Sequence, residues 1–154
     1  MLHQASPQIK LFIKSWEKCR LKAYKVKTDK PTIGWGNTYY KDGTPVKLGD
    51  VITQAQADEL FEFTLAAFVK NVNRLLHVDL NQHQYDSLLS FDYNTGALYK
   101  STLLKKINKN PQDHTITHWF EVWCMPGTDF EKGLKERRQA EVQIYLNGTY
   151  ANHN

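Results

Sequence analysis

Cysteine is scarce: Cys19 and Cys124 are the only two in 154 residues, and neither sits in a C-x-x-C or Cys/His cluster. That leaves no metal-ligand spacing, and the pair reads as reduced thiols rather than a bridge, which suits synthesis in a reducing cytoplasm. Long apolar runs are missing too. No window reaches the roughly 18 apolar residues of a membrane span, so stable membrane insertion is not expected. The polar start, residues 1–7, lacks a charged segment followed by about 7–15 apolar residues, so no cleavable leader is expected either. Charge of one sign never accumulates. The net charge is +4, and Lys25, Lys27 and Lys30 are interleaved with other residues, as on a solvated face. A mild positive excess suits contact with polyanions, but no basic stripe marks a nucleic-acid partner. His114 and His118 stand four apart without a third ligand, so no metal or other cofactor is expected. There is no internal repeat and no low-complexity linker.

What is present describes one domain. The chain is 41% hydrophobic and 23% charged, within the globular norm, and only the tail Tyr150 to Asn154 reads as disordered. Ser6-Pro7 opens a helix over about 7–18, with Ile9, Phe12, Ile13 and Trp16 at helical spacing and Glu17 near its end. From 21 to 51, glycines at 34, 36, 43 and 49 and prolines at 31 and 45 punctuate β-formers. This is a small strand-and-turn region with a hairpin turn at Lys41-Asp42-Gly43. Thr53 and Gln56 form a capping box before one long helix, about 54–76. Beyond Asp79 every segment is helical. Asn81 and Gln84 cap one helix, Ser101 caps a short one, and Asn110-Pro111 starts another that carries Ile116, Trp119, Phe120 and Trp123. The last helix runs about 130–147 and stops at Asn147-Gly148. Segregated strands and helices give an α+β class. The expected division is an N-terminal helix and β lobe over 1–52, a connecting helix over 53–77 and a helical lobe over 78–148. A cleft between two such lobes would favour an extended substrate.

One segment carries chemistry. Glu17 ends a helix, and Thr32-Ile33-Gly34-Trp35-Gly36-Asn37-Thr38 follows after a strand and turn. A glycosidase needs a carboxylic acid poised to protonate the leaving oxygen, and a glutamate on a rigid helix end can be desolvated to suit. Taken alone the pattern is weak. Glu17 and Arg20, three apart, also read as a surface ion pair, and the glycines as two tight turns.

Three blocks in order settle the resemblance: Glu17 with Arg20-Leu21-Lys22-Ala23-Tyr24 and Thr32-Ile33-Gly34-Trp35-Gly36; Ser90-Phe91-Asp92-Tyr93-Asn94-Thr95-Gly96 with Ser101-Thr102-Leu103-Leu104; and Gly133-Leu134-Lys135-Glu136-Arg137-Arg138-Gln139-Ala140-Glu141. Spanning about 6–147, they resemble the phage-type lysozymes, the endolysins of glycoside hydrolase family 24. The resemblance implies a lysozyme fold and hydrolysis of the β-1,4 bond between N-acetylmuramic acid and N-acetylglucosamine in peptidoglycan, without a cofactor. By the same resemblance Glu17 matches the general acid and Thr32 the threonine that holds the attacking water. Asn37, Tyr93, Asn94, Gly96 and Ser101 fall at or near glycan-binding positions, with Asn37 standing where many members carry histidine. The resemblance further implies a monomer that accumulates in the host cytoplasm until a holin opens the way to the wall. Of the remaining polar residues, Arg137, Arg138 and Glu141 read as a network on the last helix, Trp119 and Trp123 as packing, and Tyr24 as lying beneath Glu17.

One position departs from the pattern. The family's second catalytic residue lies nine positions after the glutamate, and here that position is Val26. Valine cannot accept a proton, orient water or attack a sugar. Three readings stay open: Asp29 substitutes from the same turn, as an inverting enzyme's carboxyl spacing of roughly 6.5–9.5 Å allows; Thr32 alone positions water and Glu17 works with reduced efficiency; or the protein binds glycan and cuts it weakly or not at all. Asp29 beside Lys30-Pro31 also reads as a plain turn former.

Overall fold

The computed structural model describes residues 2–26 and 30–154. Asp29 therefore lies outside the described residues. The elements in order are α1 (Pro7–Glu17), β1 (Arg20–Tyr24), β2 (Thr32–Gly34), α2 (Gln54–Leu75), α3 (Gln82–Thr95), a single 3₁₀ turn (Leu98–Lys100), α4 (Thr102–Lys109), α5 (Ile116–Glu121) and α6 (Glu131–Asn147). The class is α+β, as the sequence implies.

The caps explain most boundaries. Ser6 Oγ accepts from the Ile9 amide and starts α1. Thr53 and Gln56 exchange side-chain bonds with each other's backbone amides before α2, at 3.1 and 2.8 Å. Asn81 and Gln84 do the same before α3, and Ser101 Oγ accepts from the Leu104 amide to start α4. Gly148, with φ of 68°, ends α6 in the left-handed conformation that the Asn147-Gly148 signal anticipates.

Two expectations fail. No helix begins at Asn110-Pro111. The Asn110 and Asp113 side chains accept from the Gln112 and Thr115 amides, and these local bonds displace helical ones. Helix α5 starts only at Ile116 and lasts six residues. The tail is also less loose than its composition implies, because the Tyr150 hydroxyl donates to Asp86 Oδ2 at 2.5 Å.

The chain divides into two compact units, Met1–Phe12 with Phe68–His153, and Ile13–Ala67. The boundaries fall inside α1 and α2, so both helices contribute to both units. In the larger unit α3 packs chiefly on α6. Tyr85 through Asp92 are buried without interruption, which makes α3 the central helix. Phe91 meets Phe120 and Trp123 edge-on at 5.8 and 5.7 Å, and Phe120 meets Tyr145 at 6.0 Å. Trp123 is thus a packing residue. Cys124 is a buried thiol and Cys19 a partly exposed one.

The smaller unit has a different core. Ala23, Ile33 and Val46 are buried, with Tyr40 and Ile52 packed against them. Strands β1 and β2 run antiparallel, pairing Arg20 with Gly34 and Tyr24 with Thr32. The Asp42-Gly43 turn forms as expected, but single bridges flank it rather than strands, such as Tyr39 with Pro45. The Tyr40 hydroxyl donates to Asp50 at 2.7 Å, and burial with that bond pushes it up to about 12.

Candidate active site

Glu17 is the last residue of α1. Lys18 then takes φ of 59°, a left-handed turn made without glycine, and the chain enters β1 two residues later. A β-carbon in that region costs about 1–2 kcal/mol, so the turn is held by its surroundings. It places a glutamate where helix ends and sheet begins. Because the helix stops there, Arg20 belongs to β1, and helical i, i+3 spacing does not describe its relation to Glu17. Its guanidinium lies 4.9 Å from the centre of the Tyr24 ring.

The turn after β2 receives the carboxyl. Ile33 and Asn37 exchange both backbone bonds, at 2.8 and 2.9 Å, which closes Gly34-Trp35-Gly36 into a tight loop. Gly34 and Gly36 both have positive φ, 64° and 85°. At Gly36 the reason for glycine is also spatial: a β-carbon there would lie 2.5 Å from Glu17 Oε1 and 3.2 Å from its Cδ. The half-buried Glu17 carboxyl is therefore seated on a bare stretch of backbone. Tyr24 shares the environment. Burial raises its hydroxyl, the Arg20 cation opposes that rise, and the Glu17 carboxylate adds to it.

Thr32 pairs across the sheet with Tyr24, and cross-strand partners share a face. Its hydroxyl donates to the Lys30 carbonyl at 3.0 Å, which engages its proton and leaves the oxygen's lone pairs as acceptors. Val26 follows β1 and is 42% exposed, an apolar side chain facing water.

The other expected site residues divide. Asn37 is buried, and its amide donates to Thr64 Oγ1 on α2 at 2.9 Å, so it fastens the loop to that helix. Ser101 is also buried. Its hydroxyl donates to Leu98 O at 2.8 Å while accepting the α4 cap bond, which leaves a capping role and no surface for a sugar. Tyr93 is half-buried against Phe68 at 5.2 Å. Gly96 is exposed at the end of α3 in the left-handed conformation. Asn94 Oδ1 accepts from Arg138 at 2.7 Å.

Arg138 belongs to the network expected on the last helix. Glu141 and Arg138 are fully buried and Arg137 nearly so. Glu141 Oε2 accepts from Ser90 Oγ at 2.6 Å, and Oε1 pairs with Arg138 Nε at 2.8 Å. Asp92, buried nearby in the sequence, accepts from Asn71 and from the Leu98 amide, and burial raises its pKa against those two bonds.

Asp58, on α2, is a residue that no motif or spacing singles out. It accepts from the Trp35 indole at 2.9 Å and lies 3.6 Å from the Lys14 ammonium. Twenty-three residues separate Asp58 from Trp35, and no local spacing signals such a bond.

Among known proteins, the phage lysozyme family profile matches residues 14–141. The endolysin of Bacillus phage B103 is 39% identical over 91% of this chain and 53% of its own length. The endolysin of Acyrthosiphon pisum secondary endosymbiont phage 1 is 34% identical over 88% of this chain and 92% of its own. The chain thus spans about half the length of the Bacillus phage relatives and nearly all of the other. The solved endolysin from Escherichia coli O157:H7 phage FAHEc1 superposes with a TM-score of 0.85 at 33% identity, covering 97% of this chain and 98% of that one. With the helix-end glutamate, the glycine loop that seats it and a fold shared along its length, this chain belongs to the phage lysozyme family.

Proposed function

We propose that the chain is a muramidase that hydrolyses the β-1,4 bond between N-acetylmuramic acid and N-acetylglucosamine in bacterial peptidoglycan. The observation that carries this reading is the Glu17 carboxyl lying against Gly36, closer than any β-carbon would permit. Glu17 is the general acid. It gives its proton to the glycosidic oxygen as the bond to the anomeric carbon breaks and positive charge develops on the sugar ring. Thr32 orients the water: its oxygen accepts a hydrogen bond from one water O–H, whose proton stays on the product hydroxyl, and a water lone pair is left to face the anomeric carbon. The water's other proton needs an acceptor that Val26 cannot supply. Asp29 takes it, or bulk solvent does at lower efficiency. Tyr93, Asn94 and Gly96 contribute glycan contacts.

Relatives called endolysins, and a solved protein described as a muramidase domain with a TM-score of 0.78 at 28% identity, support the assignment. Among the described residues no helix is long and apolar enough to cross a membrane. We place the protein in the host cytoplasm as a monomer, released to the wall through a holin and without a nucleic-acid partner. Fractionation of holin-deficient cells tests that route.

The decisive experiment is turbidity loss of permeabilised cells. Glu17→Gln is expected to lower the rate about 10³-fold with unchanged melting. Equal rates for parent and variant would remove Glu17 from the chemistry. Val26→Asp separates the two fates of the proton. A gain of roughly 100-fold is expected where no base is in place, and no gain where Asp29 already serves.

A further inference from the structure

We infer that Asp58, acting through the indole of Trp35, is a positioning residue that fixes the seat of the Glu17 carboxyl. The inference rests on the muramidase reading for its kinetic consequence but not for its geometry. Trp35 occupies the middle of the loop whose last glycine touches Glu17, so any rotation of that loop moves the floor under the carboxyl. The backbone bonds between Ile33 and Asn37 close the loop at its base. The indole bond to Asp58 holds its tip.

Asp58 grips the other side of the seat as well. Its partner Lys14 stands on α1, one turn before Glu17. The Lys14 ammonium lies 5.1 Å from the Trp35 ring centre and 4.8 Å from that of Phe61. One carboxylate on α2 therefore joins the helix that bears Glu17 to the loop that receives it. Gln54 adds a third bond to the same oxygen, at 3.1 Å. The Trp35 bond does most to hold the Asp58 carboxyl below the usual carboxylate range, followed by Gln54 and Lys14 against the opposing effect of burial.

This arrangement is poorly explained by stability alone. The Asp58 side chain is 46% exposed, and exposed pairs of this kind add little to folding. Catalytic geometry is less forgiving, because a shift of about 1 Å at an acid can cost roughly 100-fold in rate.

The test compares Trp35→Phe, Asp58→Leu and Asp58→Asn. The first keeps the aromatic ring and removes the donor. The second removes the acceptor. The third keeps an acceptor oxygen for the indole. Glu59→Gln, an exposed neighbour on the same helix, is the control. Trp35→Phe and Asp58→Leu should lower kcat about tenfold or more with KM and melting nearly unchanged, and Asp58→Asn should recover most of the loss. Activity-independent evidence comes from the Glu17 carboxyl carbon resonance, assigned by its absence in Glu17→Gln. It should shift or broaden in the same two variants and not in the control. Unchanged kcat and an unchanged resonance in both variants would overturn the inference, as would losses that merely follow melting. A parent without lytic activity whose Glu17 resonance still responds would instead defeat the muramidase reading and leave the positioning role standing.

Discussion

Two glutamates, one in each compact unit, show what surroundings do to the same side chain. Glu141, in the helical unit, is fully buried, and its oxygens are taken by Ser90, Arg137 and Arg138. Glu17, in the strand-bearing unit, is half-buried and rests against glycine backbone at a helix end. The first carboxylate is committed to holding α6 against α3. The second keeps solvent on one side and lies within the influence of Tyr24. Burial among paired cations makes a charge structural, whereas partial burial against bare backbone leaves a carboxyl within reach of solvent.

The widest separation between the two sites should appear in Glu141→Leu. Removing that carboxylate leaves two buried guanidinium groups without it, a loss of about 3–5 kcal/mol and on the order of 10 °C in melting temperature. Thermal unfolding measures it, and an unchanged midpoint would deny the network its structural role. Gly36→Ala should invert the pattern. Its stability cost is about 1–2 kcal/mol from the positive φ, while the new β-carbon displaces the Glu17 carboxyl and lowers kcat roughly 100-fold. Loss of activity that only follows loss of folded protein would break the comparison on that side.

The smallest effect is alkaline. In the folded chain the Tyr40 hydroxyl keeps its proton up to about 12, against an ordinary value of 10.0. Its contribution is complete below the ordinary value and is lost as pH rises through the folded one. Tyr40→Phe should cost about 1 kcal/mol near neutrality. The gap from the parent should close as pH rises through that window, as denaturant melts at stepped pH would show. A gap that is constant with pH would place the effect in packing.

The fold was legible wherever a local signal was enough. Capping pairs such as Thr53 with Gln56 and Asn81 with Gln84 announce their helices within four residues. The Asn110-Pro111 start failed because asparagine and aspartate acceptors serve turns as readily as caps. At the site, family spacing points to Glu17 and Thr32, but spacing carries no information on burial. Asn37 and Ser101 match or adjoin family positions, yet both side chains are buried and bonded to neighbouring groups. Asp58 was invisible for the opposite reason: it looks like any charged residue on a helix, and only folding brings the Trp35 indole to it.

Asp86 has a topological consequence. One of its oxygens receives both the Ser6 hydroxyl, at 2.5 Å, and the Tyr150 hydroxyl, at 2.5 Å. Residues 144 apart in sequence therefore meet at a single atom, and a short linker would close the domain into a ring. Such a ring could be reopened at the exposed Asp42-Gly43 turn, yielding a circular permutant whose new ends leave from the strand-bearing unit.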